Sequence, residues 1–145
     1  MNAQHPTSNA QRPSTTNRQR KYDLEDRLLN YAVMILRIAE QLPNTRAGNH
    51  IAGQLIRCGT SPLPNRGEAE AAESSEDFAH KLKVCLKELR ESRRWLLLIQ
   101  RADLLSDKQL LSAALQETEE LIRIFFTSLK TVRRHKSERE AHRRA

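Results

Sequence analysis

The chain has 145 residues and a net charge of +7, from 25 Lys and Arg against 18 Asp and Glu. That length suggests one domain with a real core, and three Phe, two Tyr, one Trp and four Gly argue against a β-sandwich, a barrel or a glycine-looped nucleotide fold. No apolar run approaches the ~20 residues of a membrane span.

The opening MNAQHPTSNA lacks the apolar core of a secretory signal. Cys58 and Cys85 fit a reducing compartment in which both stay thiols. A small, soluble, cytoplasmic helical protein is the expectation. Residues 1–21 carry Arg12, Arg18, Arg20 and Lys21 with no acid and almost nothing to bury, which predicts a disordered tail of +4. Residues 133–145 also hold +4, six Lys and Arg against Glu138 and Glu140. The 111 residues between have 15 basic and 16 acidic groups, so the basic character belongs to the ends. Such tails suit a polyanion, and they equally suit plain solvated ends.

The first helix is expected from Asp23 to Gln41. Leu24, Leu28, Ala32, Ile35, Ala39 and Leu42 recur on a 3.6-residue period, Asp23 offers an N-cap, and Pro43-Asn44 stops it. The second spans 47–72, with Ile51, Leu55 and Cys58 on its stripe. It is broken around 59–64, where Pro62 and Pro64 each remove a backbone donor. Asn65 with Glu68 has the spacing of a capping box that would restart it.

The third helix runs over 75–101 from a Ser75 cap. Phe78, Leu82, Cys85, Leu86, Leu89 and Leu96 share one sector about 100° wide. The fourth covers 106–134, with Ser106 and Gln109 as a capping box. Its face holds Leu110, Leu111, Ala114, Leu115, Leu121, Ile122, Phe125, Leu129 and Val132. Residues 136–145 lose the apolar period and are expected to fray, within a basic C-terminal tail over 135–145. The resulting fold class is all-α, an antiparallel up-down four-helix bundle over residues 22–134, kinked in helix two near Pro62-Pro64.

Metal and catalytic patterns are absent. A di-iron bundle needs two Glu-x-x-His pairs, and Asp77-Phe78-Ala79-His80 is one approximation without a second copy. Cys58 and Cys85 lack the close pairing of a zinc site and read as small hydrophobes. No phosphate loop or nucleophile elbow occurs. The expectation is a non-enzyme with no cofactor and no metal.

A basic stripe is more informative. Lys87, Arg90, Arg94 and Arg101 follow Lys83 at helical steps, all within roughly 60° and about opposite the apolar face. Such a stripe can track a phosphate backbone without reading sequence, or be a solvated face that happens to be basic. No aromatic residue interleaves it. Trp95 lies on a flank with Val84, Glu88 and Glu91, either covering the bundle rim or marking a subunit contact. Leu97, Leu98 and Ile99 extend the apolar surface beside it, which favours the contact.

The runs Leu55-Ile56-Arg57-Cys58-Gly59-Thr60-Ser61, Asn65-Arg66-Gly67-Glu68-Ala69, Asp77-Phe78-Ala79-His80-Lys81-Leu82 and Lys87-Glu88-Leu89-Arg90-Glu91-Ser92, with Trp95-Leu96, resemble a family of bacterial four-helix-bundle proteins. These are encoded in intervening sequences of 23S ribosomal RNA genes. The pattern Q-x-x-R-x-x-x-S-x-x-x-N-x-x-E matches at Gln54, Arg57, Ser61, Asn65 and Glu68, and the resemblance spans about 22–134. It implies an antiparallel four-helix bundle that assembles as a homopentamer, without an assigned activity for most members. A related basic branch, the accessory proteins of diversity-generating retroelements, partners a reverse transcriptase. Pro62, Pro64 and Arg66 depart from the commoner pattern. Placed in that motif, Asn65 and Glu68 imply a structural or interface role.

The sequence therefore suggests a non-catalytic oligomeric module that binds RNA or DNA weakly through Lys83, Lys87, Arg90, Arg94, Arg101 and the tails. The alternative is a scaffold or accessory subunit for another protein, such as a polymerase. No membrane partner is expected.

Overall fold

The structure is a computed structural model that describes residues 17–145, with side chains from Asp23 onward. Residues 1–16, most of the expected N-terminal tail, lie outside the described residues. Five helical segments follow one another: α1 (Asn17–Gln41), α2 (Arg46–Thr60), α3 (Pro62–Glu70), α4 (Ser75–Arg101) and α5 (Lys108–Arg144). No strand occurs among the described residues.

α2 and α3 form one rod bent by 19°, so the segments make four rods of a bundle. Ser61 between them keeps helical dihedrals, φ −58° and ψ −37°. Pro62 is the first residue of α3, the position where a fixed φ and a missing donor cost least. The helix therefore resumes at Pro62, and the Asn65 cap expected from sequence does not form. Asn65 sits inside α3 instead, its Nδ2 donating to Ser61 O and Ser61 Oγ, both at 2.9 Å.

The rods pack in sequence order, with α5 returning against α1 to close the ring. The core joins all of them through Leu28, Ile35, Ile38, Leu55, Leu82, Leu89, Leu96, Leu121 and Phe125. α1 and α2 approach closely at Gly59, where an added Cβ would lie 2.7 Å from two carbons of Ile35.

The starts of α1, α4 and α5 differ from the sequence reading. α1 starts at Asn17, six residues before the expected Asp23 cap. α4 is capped by Ser74 rather than Ser75, its Oγ accepting from Asp77 N at 3.1 Å. α5 is capped by Asp107 rather than Ser106, its Oδ1 accepting from Leu110 N at 3.1 Å. Adjacent residues of similar capping strength explain both one-residue shifts.

α5 continues past the expected end at 134, through the segment expected as a tail, to Arg144. Beyond Val132 it buries no side chain, but Lys, Arg, Glu and Ala favour helix, and exposed polar pairs border it. Lys136 Nζ lies 3.4 Å from Glu76 Oε1, Arg139 Nη2 3.4 Å from Ser75 Oγ, and Arg134 Nε 3.9 Å from Glu138 one turn on.

Candidate functional site

α4 has two functional-looking flanks with opposite electrostatics. Its apolar sector, Leu82, Cys85, Leu86, Leu89, Ser92, Leu96 and Ile99, is buried in the bundle. The 3.6-residue period then leaves one flank toward α5 and the other toward α2 and α3.

On the α5 flank, Lys83, Lys87, Arg90, Arg94 and Arg101 are all exposed. Among the described residues, none of the five takes part in an ion pair. α5 runs antiparallel beside them, in a register fixed where Arg93 bonds Glu119 and Lys136 meets Glu76. Its near edge carries Arg123, Lys130 and Arg133, also exposed and outside those ion pairs. Two shallow cavities lie along the seam. One of about 230 Å³ is lined by Arg90, Arg93, Arg94, Glu119 and Ile122. The other, about 320 Å³, includes Ala79, Lys83, Val132, Arg133 and Lys136. The bordering carboxylates Glu119 and Glu76 are already bonded to Arg93 and Lys136, so the seam presents unneutralised positive charge.

Arg101 stands apart. It lies in the last turn of α4, two turns beyond Arg94, where it also complements the helix C-terminus. Sequence reading missed Arg123, Phe126 and Lys130, and counted Arg133 only as part of the basic tail. Their three- and four-residue spacing is visible in the chain, but their place beside the α4 stripe depends on the α4–α5 packing.

The opposite flank is neutralised. Arg57 of α2 reaches Glu88 at 3.3 Å and also bonds Glu91. Glu91 chiefly, and then Glu88, holds the Arg57 guanidinium's pKa above its ordinary value. Glu68 bonds Lys81 at 2.6 Å, joining α3 to α4. Trp95 is half-buried against the core, with Nε1 3.5 Å from Glu91 Oε1 and its ring edge-on to His50 at 6.0 Å. Asn65, Glu68 and Trp95 thus serve the α2–α3–α4 joint, away from the basic seam. Ile99 is fully buried, so the apolar excess near Trp95 reduces to the exposed Leu97 and Leu98.

The centre of the bundle holds a small polar cluster. Tyr31 and Thr118 share a 2.7 Å hydrogen bond, and Ser92 Oγ donates to Glu88 O at 2.8 Å. Burial pushes Tyr31 up to about 12 and the Cys58 thiol up to about 11, and it raises Cys85 to about 12. Groups held neutral in this way are poor nucleophiles. Among the described residues no group of three His, Cys, Asp or Glu is placed to hold a metal ion. Among the described residues no helix is long and apolar enough to cross a membrane.

The chain matches the model of a family described as 23S rRNA-intervening sequence protein over residues 20–127. It is also similar to a solved structure from Bacteroides thetaiotaomicron, a protein of unknown function from the S23 ribosomal protein family. The two share 30% identity over 76% of this chain and 97% of that one, with a TM-score of 0.68. No curated protein matches.

Proposed function

We propose, for a chain that belongs to the 23S rRNA-intervening sequence protein family, a non-catalytic oligomeric module that binds nucleic acid through backbone phosphates along the α4–α5 seam. One observation carries this reading: among the described residues Lys83, Lys87, Arg90 and Arg94 are exposed and in no ion pair, Arg133 of α5 lines a cavity with Lys83, and Arg123 and Lys130 lie exposed on the same neighbouring helix. Contacts of this kind are electrostatic and largely independent of sequence. Assembly repeats the seam, and repetition strengthens weak contacts wherever several seams engage one strand.

Self-association has its own support. Leu29, Val33 and Leu36 are exposed by 46%, 42% and 43% and form one row along α1. A homopentamer is what the family resemblance implies. A scaffold or accessory subunit for a polymerase-type protein, such as a reverse transcriptase, is the second reading, and the same apolar row favours it.

Fluorescence anisotropy with labelled RNA and DNA, at low and at physiological salt, tests the first reading. Binding that weakens with salt and is reduced when Lys87, Arg90 and Arg94 become Ala supports it. No binding at low salt leaves the scaffold reading in its place. Light scattering that returns the 16.7 kDa monomer overturns the oligomer.

A further inference from the structure

Phe125 and Phe126 are neighbours with opposite fates. Phe125 is 1% exposed in the core, whereas Phe126 is 50% exposed, more than any other large apolar side chain described. A helix turns 100° per residue, so this pair straddles the edge of the apolar face. Arg123 and Lys130 lie about one turn to either side of Phe126, both exposed. The α4–α5 register places Phe126 level with Leu86 and Lys87, between the levels of Lys83 and Arg90.

A phenyl ring left in water gains nothing for folding. Surrounded by cations, it suits a ligand that offers negative charge and flat apolar surface together. A single strand does so, with phosphates for the cations and an unpaired base for the ring. A duplex offers the phosphates alone, because its bases are stacked inside. A second copy of the same face would bring cations against cations, which argues against self-pairing through this patch.

We infer that Phe126 is a stacking platform for an unpaired base, so that the α4–α5 seam takes single-stranded nucleic acid in preference to duplex. This rests on the phosphate-binding reading proposed above.

The test titrates the full chain with a fluorescein-labelled oligothymidylate about 20 nucleotides long and with a duplex of equal length. F126A and F126L are expected to weaken single-strand binding by roughly five- to a hundredfold, the loss of one stacked base, while duplex binding changes less than about twofold. F126W is expected to keep single-strand binding. Equal losses on both polymers, no loss on either, or F126L behaving as wild type overturns the stacking role alone. A change in assembly mass on F126A also overturns it and assigns the ring to a contact between chains. If the wild-type chain binds neither polymer at low salt, the phosphate-binding reading falls and stacking falls with it.

Discussion

Tyr31 and Thr118, 87 residues apart, share a buried hydrogen bond whose direction the surroundings decide. Thr118 Oγ1 lies 2.6 Å from Ala114 O, and a hydroxyl has only one proton to give. Thr118 donates to that carbonyl, so Tyr31 is the donor to Thr118.

That direction makes the two deletions unequal. Y31F removes a donor and leaves Thr118 still bonded to Ala114, which costs about 1 kcal/mol. T118V keeps the shape but removes the Thr118 acceptor of the buried Tyr31 hydroxyl, at about 1–3 kcal/mol. Urea denaturation of both variants checks the order. Equal costs count against the assigned direction.

Stability at high pH follows from the same centre. Cys58, Cys85 and Tyr31 have ordinary values of 9.0, 9.0 and 10.0 and are raised by burial to about 11, 12 and 12. A raised value means that the unfolded chain loses these protons first. Their stabilisation is whole below pH 9 and is lost as pH rises toward 12. Thermal melts should fall steeply over that range, and Y31F should lessen the part of the fall above pH 10.

The thiols give an independent check. Cys58 and Cys85 are both 0% exposed, so a disulfide reagent at neutral pH should label the native chain slowly and both thiols at once in urea. Fast native labelling would contradict the buried placement.

Glycine substitutions separate close approach from chain entropy. A Cβ at Gly48 would lie 2.0 Å from Pro43 O, a backbone atom that cannot move aside. A Cβ at Gly53 meets nothing within 4 Å in mid-helix. G53A should stabilise by about 0.5–1 kcal/mol, whereas G48A should destabilise by 1 kcal/mol or more, about the size of an overpacking defect. Denaturant midpoints of the two variants would show opposite shifts.

The rods themselves were legible because apolar residues recur every three or four positions over long stretches, as at Leu82, Leu89 and Leu96. Their ends were less so. Ser74 competes with Ser75, and Asp107 with Ser106, and only the settled backbone decides which oxygen meets the first free N–H. Pro62 announced a break, but whether it bends the rod or ends it depended on Ser61 keeping helical dihedrals. Half of the candidate site, the α4 stripe, was visible as a single-helix pattern. The other half was hidden because Arg123, Phe126, Lys130 and Arg133 acquire meaning only from the neighbour they pack beside. The long α5 was hidden for another reason: its last turns bury nothing and leave no apolar period to read.

Salt dependence tests the seam most directly. Each phosphate contact releases a counterion, so log affinity falls with log salt at a slope of roughly 0.7–0.9 per contact. Lys87, Arg90 and Arg94 are exposed and outside any ion pair among the described residues, so truncating them should leave folding unchanged. Converting all three to Ala should flatten the slope by roughly 2–3, whereas exchanging Lys for Arg and Arg for Lys should preserve it, because point charges suffice for phosphates. Arg57, locked to Glu88 and Glu91 on the opposite flank, is the control, and R57A should not alter the slope. Anisotropy titrations across a salt series give the slopes. Parallel lines for wild type and the triple variant would remove the seam from the binding surface, and a flattened line for R57A would move that surface to the other side of α4.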